Sequence, residues 1–306
     1  MVRISLVLMF LCSFYEGMAQ LTYKELLVDY DSAVEYKNLK VIPVRKNAGG
    51  GPGIQMLSFG KAIQSGKISV SERGTASTEN VHWLRVNNRS GQPVFVASGE
   101  MVVGGRQDRM VTKDTILQAL NVDQYIPVMC VEEGRLSEKE KKFNYASFAN
   151  PKLRKVLDQS KNQLLVWKEI YAQLDSSNIN SQTLAYAAKK IDKKHILFSD
   201  EYLRYFSKKL NERDSSIVGF VCMTGDKIIG SDIYSDASLF KDQFENLLSG
   251  YVEQSISYGS QNVVTDEAVK KYLDQFLKDE ESQETFLKKN GKIFKNNGKA
   301  FHITSY

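Results

Sequence analysis

The sequence predicts an α+β fold. Its antiparallel, β-rich N-terminal half contains hairpins and packs against helices, and its C-terminal half contains a second β-hairpin and further helices. Short β-branched and aromatic runs, separated by turn residues, fill the chain up to about residue 135. Helical periodicity begins at Pro151, and a pair of β-rich runs returns around Gly225. Because strands and helices occur in separate runs, their order favours α+β over alternating parallel units.

Composition places the chain among globular proteins. With 306 residues it can bury a sizeable core, and 42% hydrophobic with 25% charged residues disfavours both a disordered chain and a membrane bundle. The net charge of +5 is small for this length. After the N-terminal segment, no stretch approaches the roughly 18 apolar residues of a membrane span, so no integral membrane segment is expected.

Residues 1–19 have the pattern of a secretory signal peptide. Arg3 supplies the positive charge, residues 4–14 form an apolar run, and small residues end the segment. Cys12 raises the alternative of a lipoprotein, but Leu11 stands where a small residue is required. We therefore expect cleavage and export to the periplasm or the extracellular space.

The N-terminal half is expected to consist mostly of strands. They are predicted, with one short helix at 58–65, at residues 39–44, 68–73, 81–87, 94–96, 101–103 and 126–132. The glycine-rich run at 48–53 lacks the Gly-Lys-Ser/Thr ending of a P-loop and the glycine spacing of a dinucleotide fold. We interpret it as a loop.

The C-terminal half begins with helices and returns to strands. A long helix is predicted at 151–174, further helices at 181–191, 200–210, 239–252 and 263–278, and a hairpin at 217–234. The lysine-rich run at 288–299 is weak evidence for a nucleic-acid surface, because proteins that read nucleic acid show a broad basic face and a recognised module. Nucleic acid is not expected as a partner, and the oligomeric state is left open.

The central hairpin gathers unusual polar chemistry. A two-residue turn at Gly104-Gly105 would place Glu100 opposite Arg109, and Glu100, Gln107 and Arg109 would then project from one face. An acid, an amide and a guanidinium on one face can bind an anionic or polyhydroxylated ligand. The alternative is an ordinary Glu100 to Arg109 salt bridge on a solvated face.

The next strand extends this pattern. Alternation in residues 126–132 places Cys130 and Glu132 on one face, so pairing with the hairpin would bring both to the same polar cluster. Gly134 allows a sharp exit that would direct Arg135 to the same place. The alternative is a core strand in which Cys130 is a small buried hydrophobic residue.

Two sequence patterns run through these strands. The first, G-E-x(3)-G-x(2)-Q-x-R, begins at Gly99 and ends at Arg109, and the second, P-V-x-C-V-E-x-G-R, runs from Pro127 to Arg135. With them, residues 38–258 resemble the ARG and rhodanese-phosphatase-superfamily-associated protein domain, a prokaryotic family of unknown function. Weaker echoes of the family occur at Ser160, Gln163, Trp167, Gly225, Gly230 and Asp232.

The resemblance has implications for the ligand and for domain organisation. The family's name reflects association with ADP-ribosylglycohydrolase-like and phosphatase-like proteins, which implies a nucleotide- or ADP-ribose-like ligand by context. It also implies a single α+β domain, residues 20–259, followed by a C-terminal helical and basic extension, residues 260–306. Leu136 departs from the family, which often has an aromatic residue there.

These residues predict one polar site for a small anionic ligand. Glu100 and Glu132 are the candidate catalytic residues, either of which would act as a general base. The candidate ligand-binding residues are Gly99, Gly104, Gln107, Arg109, Cys130 and Arg135. No cofactor or metal is predicted, because the glutamates occur without His or Asp at ligand spacing. The alternative is a non-catalytic envelope binding or interaction module, so whether the protein is an enzyme is left open.

Further candidates have two interpretations each. Ser160 and Gln163 either line the floor of the site or satisfy neighbouring backbone groups. Asp232 either faces the site or caps the next helix. Cys130 and Cys222 lie in apolar runs, which favours two buried thiols over a disulfide, with a nucleophilic Cys130 as the third interpretation.

Overall fold

A computed structural model describes residues 20–47, 55–74, 81–137, 139–210 and 216–306 of the chain. The predicted signal peptide, residues 1–19, and the glycine-rich loop at 48–53 lie outside these ranges. The predicted α+β class is confirmed, because an antiparallel, β-rich first half is followed by helices, a hairpin and further helices.

Sixteen strands lie within the described residues. They are β1 (Leu26–Val28), β2 (Val34–Tyr36), β3 (Leu39–Lys46), β4 (Leu57–Ser58), β5 (Ile68–Glu72), β6 (Trp83–Asn88), β7 (Val94–Val96), β8 (Glu100–Gly105), β9 (Arg109–Val111), β10 (Thr115–Leu117), β11 (Asp123–Cys130), β12 (Lys141–Phe148), β13 (Ile217–Thr224), β14 (Lys227–Tyr234), β15 (Gly291–Asn296) and β16 (Lys299–Ser305). Apart from the β4 and β7 pair, the strands pair in antiparallel fashion.

The same ranges contain seven α-helices and one 3-10 helix at Tyr186–Lys190. The α-helices are α1 (Phe59–Gln64), α2 (Pro151–Ser160), α3 (Gln163–Ser176), α4 (Lys193–Lys209), α5 (Ala237–Tyr258), α6 (Asp266–Leu277) and α7 (Glu280–Asn290). Among them, none is long and apolar enough to cross a membrane.

The strands form three sheets. A seven-stranded sheet has the order β1-β3-β13-β14-β16-β15, with β2 also pairing to β3, and a six-stranded sheet has the order β12-β8-β9-β11-β6-β5. A small sheet, β10-β7-β4, completes the set. One face of the seven-stranded sheet packs on α4 and α5 and the other on α6 and α7, which explains why all eight residues of β13 are buried.

The predicted second hairpin is confirmed. β13 and β14 pair with Thr224 opposite Lys227, and Gly225 between them adopts a positive φ of 58°. β14 then pairs with β16, so residues 299–305 belong to the seven-stranded sheet. Residues 260–306, the predicted C-terminal extension, thus supply α6, α7 and two strands, while the boundary after residue 259 stays a prediction.

The predicted register of the central hairpin is wrong. β8 and β9 pair with Val102 opposite Arg109, so Arg109 lies two positions from the predicted partner, Glu100. The reason is that Gly105 does not close a two-residue turn: it pairs with Lys141 of β12, and the ring of Phe143 occupies the space where a Cβ of Gly105 would lie. The connection from β8 to β9 is therefore longer.

The single helix predicted at 151–174 is also wrong. Lys161, with a positive φ of 48°, ends α2, and Asn162 accepts the backbone N–H groups of Leu164 and Leu165 to begin α3. In the predicted helix at 181–191, only the 3-10 turn forms.

The lysine-rich run at 288–299 covers the end of α7, β15 and the turn into β16. Two of its lysines have acidic partners within the protein: Lys292 pairs with Asp158 at 2.7 Å, and Lys295 pairs with Glu280 at 3.1 Å. This part of the run is thus engaged inside the fold.

Candidate functional site

The first polar cluster lies where the β8–β9 connection meets the end of β11. We call it the Arg135 network, which comprises Asp108, Glu132, Arg135 and the carbonyl oxygens of residues 104–106. Arg135 Nε donates to Glu132 Oε2 at 2.8 Å, and Arg135 Nη2 donates to Asp108 Oδ1 at 2.9 Å. Arg135 Nη1 and Nη2 also donate to the three carbonyl oxygens at 3.0–3.2 Å. Every nitrogen of this guanidinium therefore has a protein acceptor.

Arg109, Gln107 and Cys130 lie beside this network. Cys130 is opposite Arg109 in the β9–β11 pair, and its Sγ lies 3.3 Å from Gln107 Oε1. Gln107 Nε2 donates to the Glu132 carbonyl oxygen at 2.9 Å, and Arg109 Nη1 donates to Gln107 Oε1 at 3.2 Å. The Arg109 guanidinium also pairs with Glu72 of β5 at 3.4 Å, and both side chains are buried. Arg109 thus ties three strands of the six-stranded sheet together.

Charges in the Arg135 network stabilise one another. Burial opposes ionisation of Glu132, but hydrogen bonds from Arg135, the Thr183 hydroxyl and the Asp108 backbone N–H hold its pKa below the ordinary value. Burial and the nearby Glu132 carboxylate raise the pKa of Asp108 despite its bonds to Arg135. The two acids together raise the pKa of Arg135 against the effect of burial.

Glu100 and Gly99 belong to a second cluster between the two large sheets. We call it the His302 network, which comprises Glu100, Asp114, Arg154, Asp232 and His302. All five side chains are buried. No hydrogen bond or ion pair joins Glu100 to the Arg135 network among the described residues.

His302 of β16 lies between two carboxylates. Its Nδ1 is 2.7 Å from Asp114 Oδ2, and its Nε2 is 3.2 Å from Asp232 Oδ1. Arg154 of α2 donates through both terminal nitrogens to Asp232, at 2.9 and 2.7 Å, a bidentate pair. The Tyr234 ring stacks on the His302 ring at 4.2 Å. The network therefore links α2, β14, β16 and the residues after β9.

Neighbouring charges in the His302 network favour the ionised forms of Asp114, Asp232 and His302. Burial opposes charge on both acids, but His302 holds the pKa of Asp114 below its usual value, and Arg154 with His302 holds that of Asp232 far below. Burial favours the neutral ring of His302, yet the two carboxylates outweigh it and raise the pKa of His302. The carboxylates of Asp114 and Asp232 are therefore matched by the cations Arg154 and His302, so the charges of these four buried groups balance.

Glu100 is the neutral member of the network. Its Oε2 accepts the Ala97 backbone N–H at 2.6 Å, and its Oε1 accepts the Tyr145 hydroxyl at 3.0 Å. Burial nevertheless raises the pKa of Glu100 to about 8, helped by the Asp114 charge and opposed by these two bonds. Glu100 holds its proton at neutral pH, and it is 0% exposed.

Gly99 is required by its neighbours. It adopts a positive φ of 91°, and a Cβ at this position would lie 2.7 Å from Arg154 Nε. The glycine thus lets the Arg154 side chain pass over the backbone. Gly104, with φ of 118°, is packed still more closely, because a Cβ there would lie 2.3 Å from the Lys142 carbonyl oxygen.

A third buried polar cluster joins α5 to the 3-10 helix. Lys189 Nζ lies 3.2 Å from Glu253 Oε1, and the Asn150 side chain donates to the same oxygen at 2.9 Å. Burial opposes ionisation of Glu253, but Lys189 and Lys190 hold its pKa below the ordinary value.

The structure brings some predicted residues together and separates others. Gln107, Arg109, Cys130, Glu132 and Arg135 meet around the β8–β9 connection, where Gly104 contributes a carbonyl oxygen. The strand ending at Cys130 pairs with β9 of the hairpin, which is the condition under which Cys130 and Glu132 were expected to join the cluster. Glu100 and Gly99 lie instead in the His302 network.

Secondary candidates serve the fold. Gln163 bonds both backbone groups of Cys130, at 2.9 and 2.7 Å, and Ser160 donates to the Val156 carbonyl oxygen. Asp232 pairs with Arg154, while the next helix, α5, is capped by a different acid. The two buried cysteines, Cys130 and Cys222, are not joined by a disulfide.

Sequence reasoning missed Asp114, Arg154 and His302. Arg154 lies one helical turn after Asn150 on the buried face of α2, so a charged residue on an apolar stripe was the available signal. His302 and Asp114 are 188 residues apart in sequence, so no local pattern indicates their contact.

Two cavities are lined by described residues, with volumes of about 390 and 440 Å³. None of the predicted site residues lines either cavity. Within the described ranges, no three His, Cys, Asp or Glu side chains group as a ligand set for a metal. The motif residues bond one another and neighbouring backbone groups in the two networks.

Comparison with known proteins identifies the family. The model of the ARG and Rhodanese-Phosphatase-superfamily-associated Protein domain matches residues 27–300, most of the chain. The chain belongs to this family. The match to the ARG and Rhodanese-Phosphatase-superfamily-associated Protein domain includes β1 to β15, and both networks lie almost wholly within it, with His302 just beyond its end. No curated protein and no solved structure matches the chain.

Proposed function

We propose that the chain is an exported, non-catalytic binding or interaction module, in which the family motif holds the hairpin and the sheets together. One observation carries this proposal: every nitrogen of the Arg135 guanidinium donates to a carboxylate or carbonyl of the protein itself. An anionic ligand would have to displace these acceptors, and breaking buried charge pairs is costly. Export rests on the signal-peptide pattern of residues 1–19.

The two candidate catalytic acids support the same view. Glu100 is 0% exposed and protonated at neutral pH, so it is neither accessible to a substrate nor ionised for general-base catalysis. Glu132 is ionised, but its carboxylate accepts hydrogen bonds from Arg135, Thr183 and the Asp108 backbone. These bonds stabilise the ionised carboxylate and hold its pKa below the ordinary value, which makes Glu132 a weaker base than a free glutamate.

An interaction role is supported by the apolar surface around α3 and α4. Seven of the fifteen large apolar side chains exposed among the described residues fall between residues 164 and 198. Ile191, Leu197 and Leu164 are 78%, 70% and 68% exposed. Concentration of exposed apolar side chains in one stretch favours contact with another molecule.

The test is a thermal-shift screen of nucleotides, ADP-ribose derivatives and glycans on the mature protein and on the Glu100→Gln and Arg135→Lys variants. We expect Arg135→Lys to lower the melting temperature and none of the nucleotides or ADP-ribose derivatives to raise it. A nucleotide or ADP-ribose derivative that stabilises the wild type, and does so less in Arg135→Lys at equal fractional saturation, would overturn the proposal. That result would support the competing prediction, a site that binds or hydrolyses a small anionic nucleotide-like ligand.

A further inference from the structure

A cavity of about 390 Å³ opens between α1, the first turns of α5 and the β3–β13 part of the seven-stranded sheet. Its volume lies in the range of small-molecule sites. None of the motif residues lines it, so what it binds is a question separate from the proposed function. Its apolar floor consists of Pro43, Leu210, Ile217, Phe220, Phe240 and Phe244.

Three phenylalanines dominate the floor. Their ring centroids are 5.7 Å apart for Phe220 and Phe240, 6.2 Å for Phe220 and Phe244, and 5.9 Å for Phe240 and Phe244. Interplanar angles of 67° to 80° make all three contacts edge-to-face. Aromatic rings prefer this arrangement or offset stacking, so a further ring fits such a floor well.

The rim carries one unused charge of each sign. Lys61 is paired with Asp242 at 2.9 Å, which removes those two charges from consideration. Lys241 has no acidic partner among the described residues, and Glu245 is engaged only by the Ser207 hydroxyl at 3.1 Å. Lys241 and Glu245 lie four residues apart on α5, with the lysine first, which is the less favourable order for an ion pair on a helix. Both remain available to a ligand.

The geometry points to a zwitterionic aromatic ligand, an aromatic α-amino acid whose ring lies on the three phenylalanines. We propose that its carboxylate meets the Lys241 ammonium and its ammonium meets the Glu245 carboxylate at the mouth of the cavity. The described charged side chains of the rim, Lys61, Lys241, Asp242 and Glu245, sum to no net charge, which suits a ligand without net charge. A wholly apolar molecule would leave both rim charges unused, and a simple acid or amine would leave one.

Binding of L-phenylalanine and L-tryptophan to the mature chain can be measured by titration calorimetry. The comparison ligands are 3-phenylpropionate, which lacks the ammonium, and phenylalaninamide, which lacks the carboxylate and resembles the N-terminal residue of a peptide. Asn246→Trp fills the cavity from α5, and Gln64→Trp fills it from α1 if the first variant does not fold. Lys241→Gln and Glu245→Gln remove the rim charges, with Lys271→Gln of α6 as the matched control.

We expect saturable one-to-one binding of L-phenylalanine that is lost in the filled variant at an unchanged melting temperature. Removing either ligand charge, or either rim charge, should weaken binding by about twofold to fivefold, the usual worth of an exposed charge pair. Lys271→Gln should bind as the wild type does. Absence of saturable binding at about 10 mM ligand, equal binding of 3-phenylpropionate, or binding that survives cavity filling would each overturn the inference. None of these outcomes bears on the motif variants, so the two proposals fail separately.

Discussion

Glu100→Gln is expected to reduce the loss of stability that the protein suffers as the pH rises. The Glu100 carboxyl is 0% exposed, and its pKa in the folded protein is about 8 against an ordinary value of 4.5. The side-chain oxygen of glutamine can accept the Ala97 backbone N–H, and its NH2 group can donate to the Tyr145 hydroxyl. Unlike glutamic acid, glutamine has no proton to release. The variant therefore reproduces the neutral form of Glu100 at every pH.

Proton linkage gives the direction and the size of this pH effect on the free energy of unfolding. Between pH 4.5 and about 8 the unfolded chain has released the Glu100 proton and the folded chain retains it. Over that interval the free energy of unfolding falls by about 1.36 kcal/mol per pH unit. The stabilisation from the buried proton is complete below pH 4.5 and is lost as the pH rises through about 8, a total of about 5 kcal/mol, of which about 3 kcal/mol is gone by pH 7.

The assay is urea unfolding at pH 5.5, 7 and 8.5 for the wild type, Glu100→Gln and the matched control Glu133→Gln, whose side chain is exposed. His302 titrates in all three proteins, so the difference between the curves isolates Glu100. The Glu100→Gln curve should converge on the wild-type curve or rise above it as the pH increases, whereas the control should run parallel to the wild type. Parallel curves for Glu100→Gln and the wild type would refute a protonated Glu100.

Three further predictions concern packing and surface. Arg135→Lys should lower the free energy of unfolding by about 3 kcal/mol, because lysine cannot reproduce the bonds to two carboxylates and three carbonyls. In the same urea assay, Arg85→Lys at an exposed ion pair should change the free energy of unfolding by less than about 0.5 kcal/mol. Gly99→Ala should lower the free energy of unfolding by more than about 2 kcal/mol, because strain at positive φ adds to a collision with the Arg154 side chain. Gly66→Ala, where φ is also positive but no atom lies within 4 Å of the new Cβ, should lower it by about 1 kcal/mol. Similar losses for the two variants would contradict the collision. Leu197→Ser should leave the melting temperature within about 1 °C of the wild type, because the side chain is 70% exposed, and a larger drop in calorimetry would show that it packs in the fold.

Local patterns predicted the elements whose chemistry is local. The second hairpin was predicted with its turn because two β-rich runs flank Gly225-Asp226, and only a glycine accommodates the positive φ at that position without strain. Alternation in residues 126–132 also placed Cys130 and Glu132 on one face, and Gln107 contacts the Cys130 thiol and the Glu132 carbonyl oxygen. These features depend on residues that are close in sequence.

The errors in the prediction arose where residues distant in sequence determine the local structure. Gly104-Gly105 looks like a two-residue turn, but β12 pairs with Gly105 and keeps it in a strand, and the pairing partner lies 36 residues away. In the same way, nothing near Glu100 in the sequence indicates that it packs against Tyr145 and lies close to the His302 network. Side-chain direction in a strand can be predicted from period two, whereas the identity of what lies across the sheet cannot.

The family motif contributes residues to two buried polar networks, which differ in how they accommodate the charge of their motif glutamate. In the Arg135 network, Glu132 keeps its charge beside a guanidinium that has carbonyl oxygens for its remaining donors. In the His302 network, two carboxylates match two cations, so the fifth member, Glu100, must be neutral or the buried cluster would carry an uncompensated charge. The raised pKa of Glu100 thus follows from burial, to which the Asp114 charge adds, and it does not require a catalytic role to explain it.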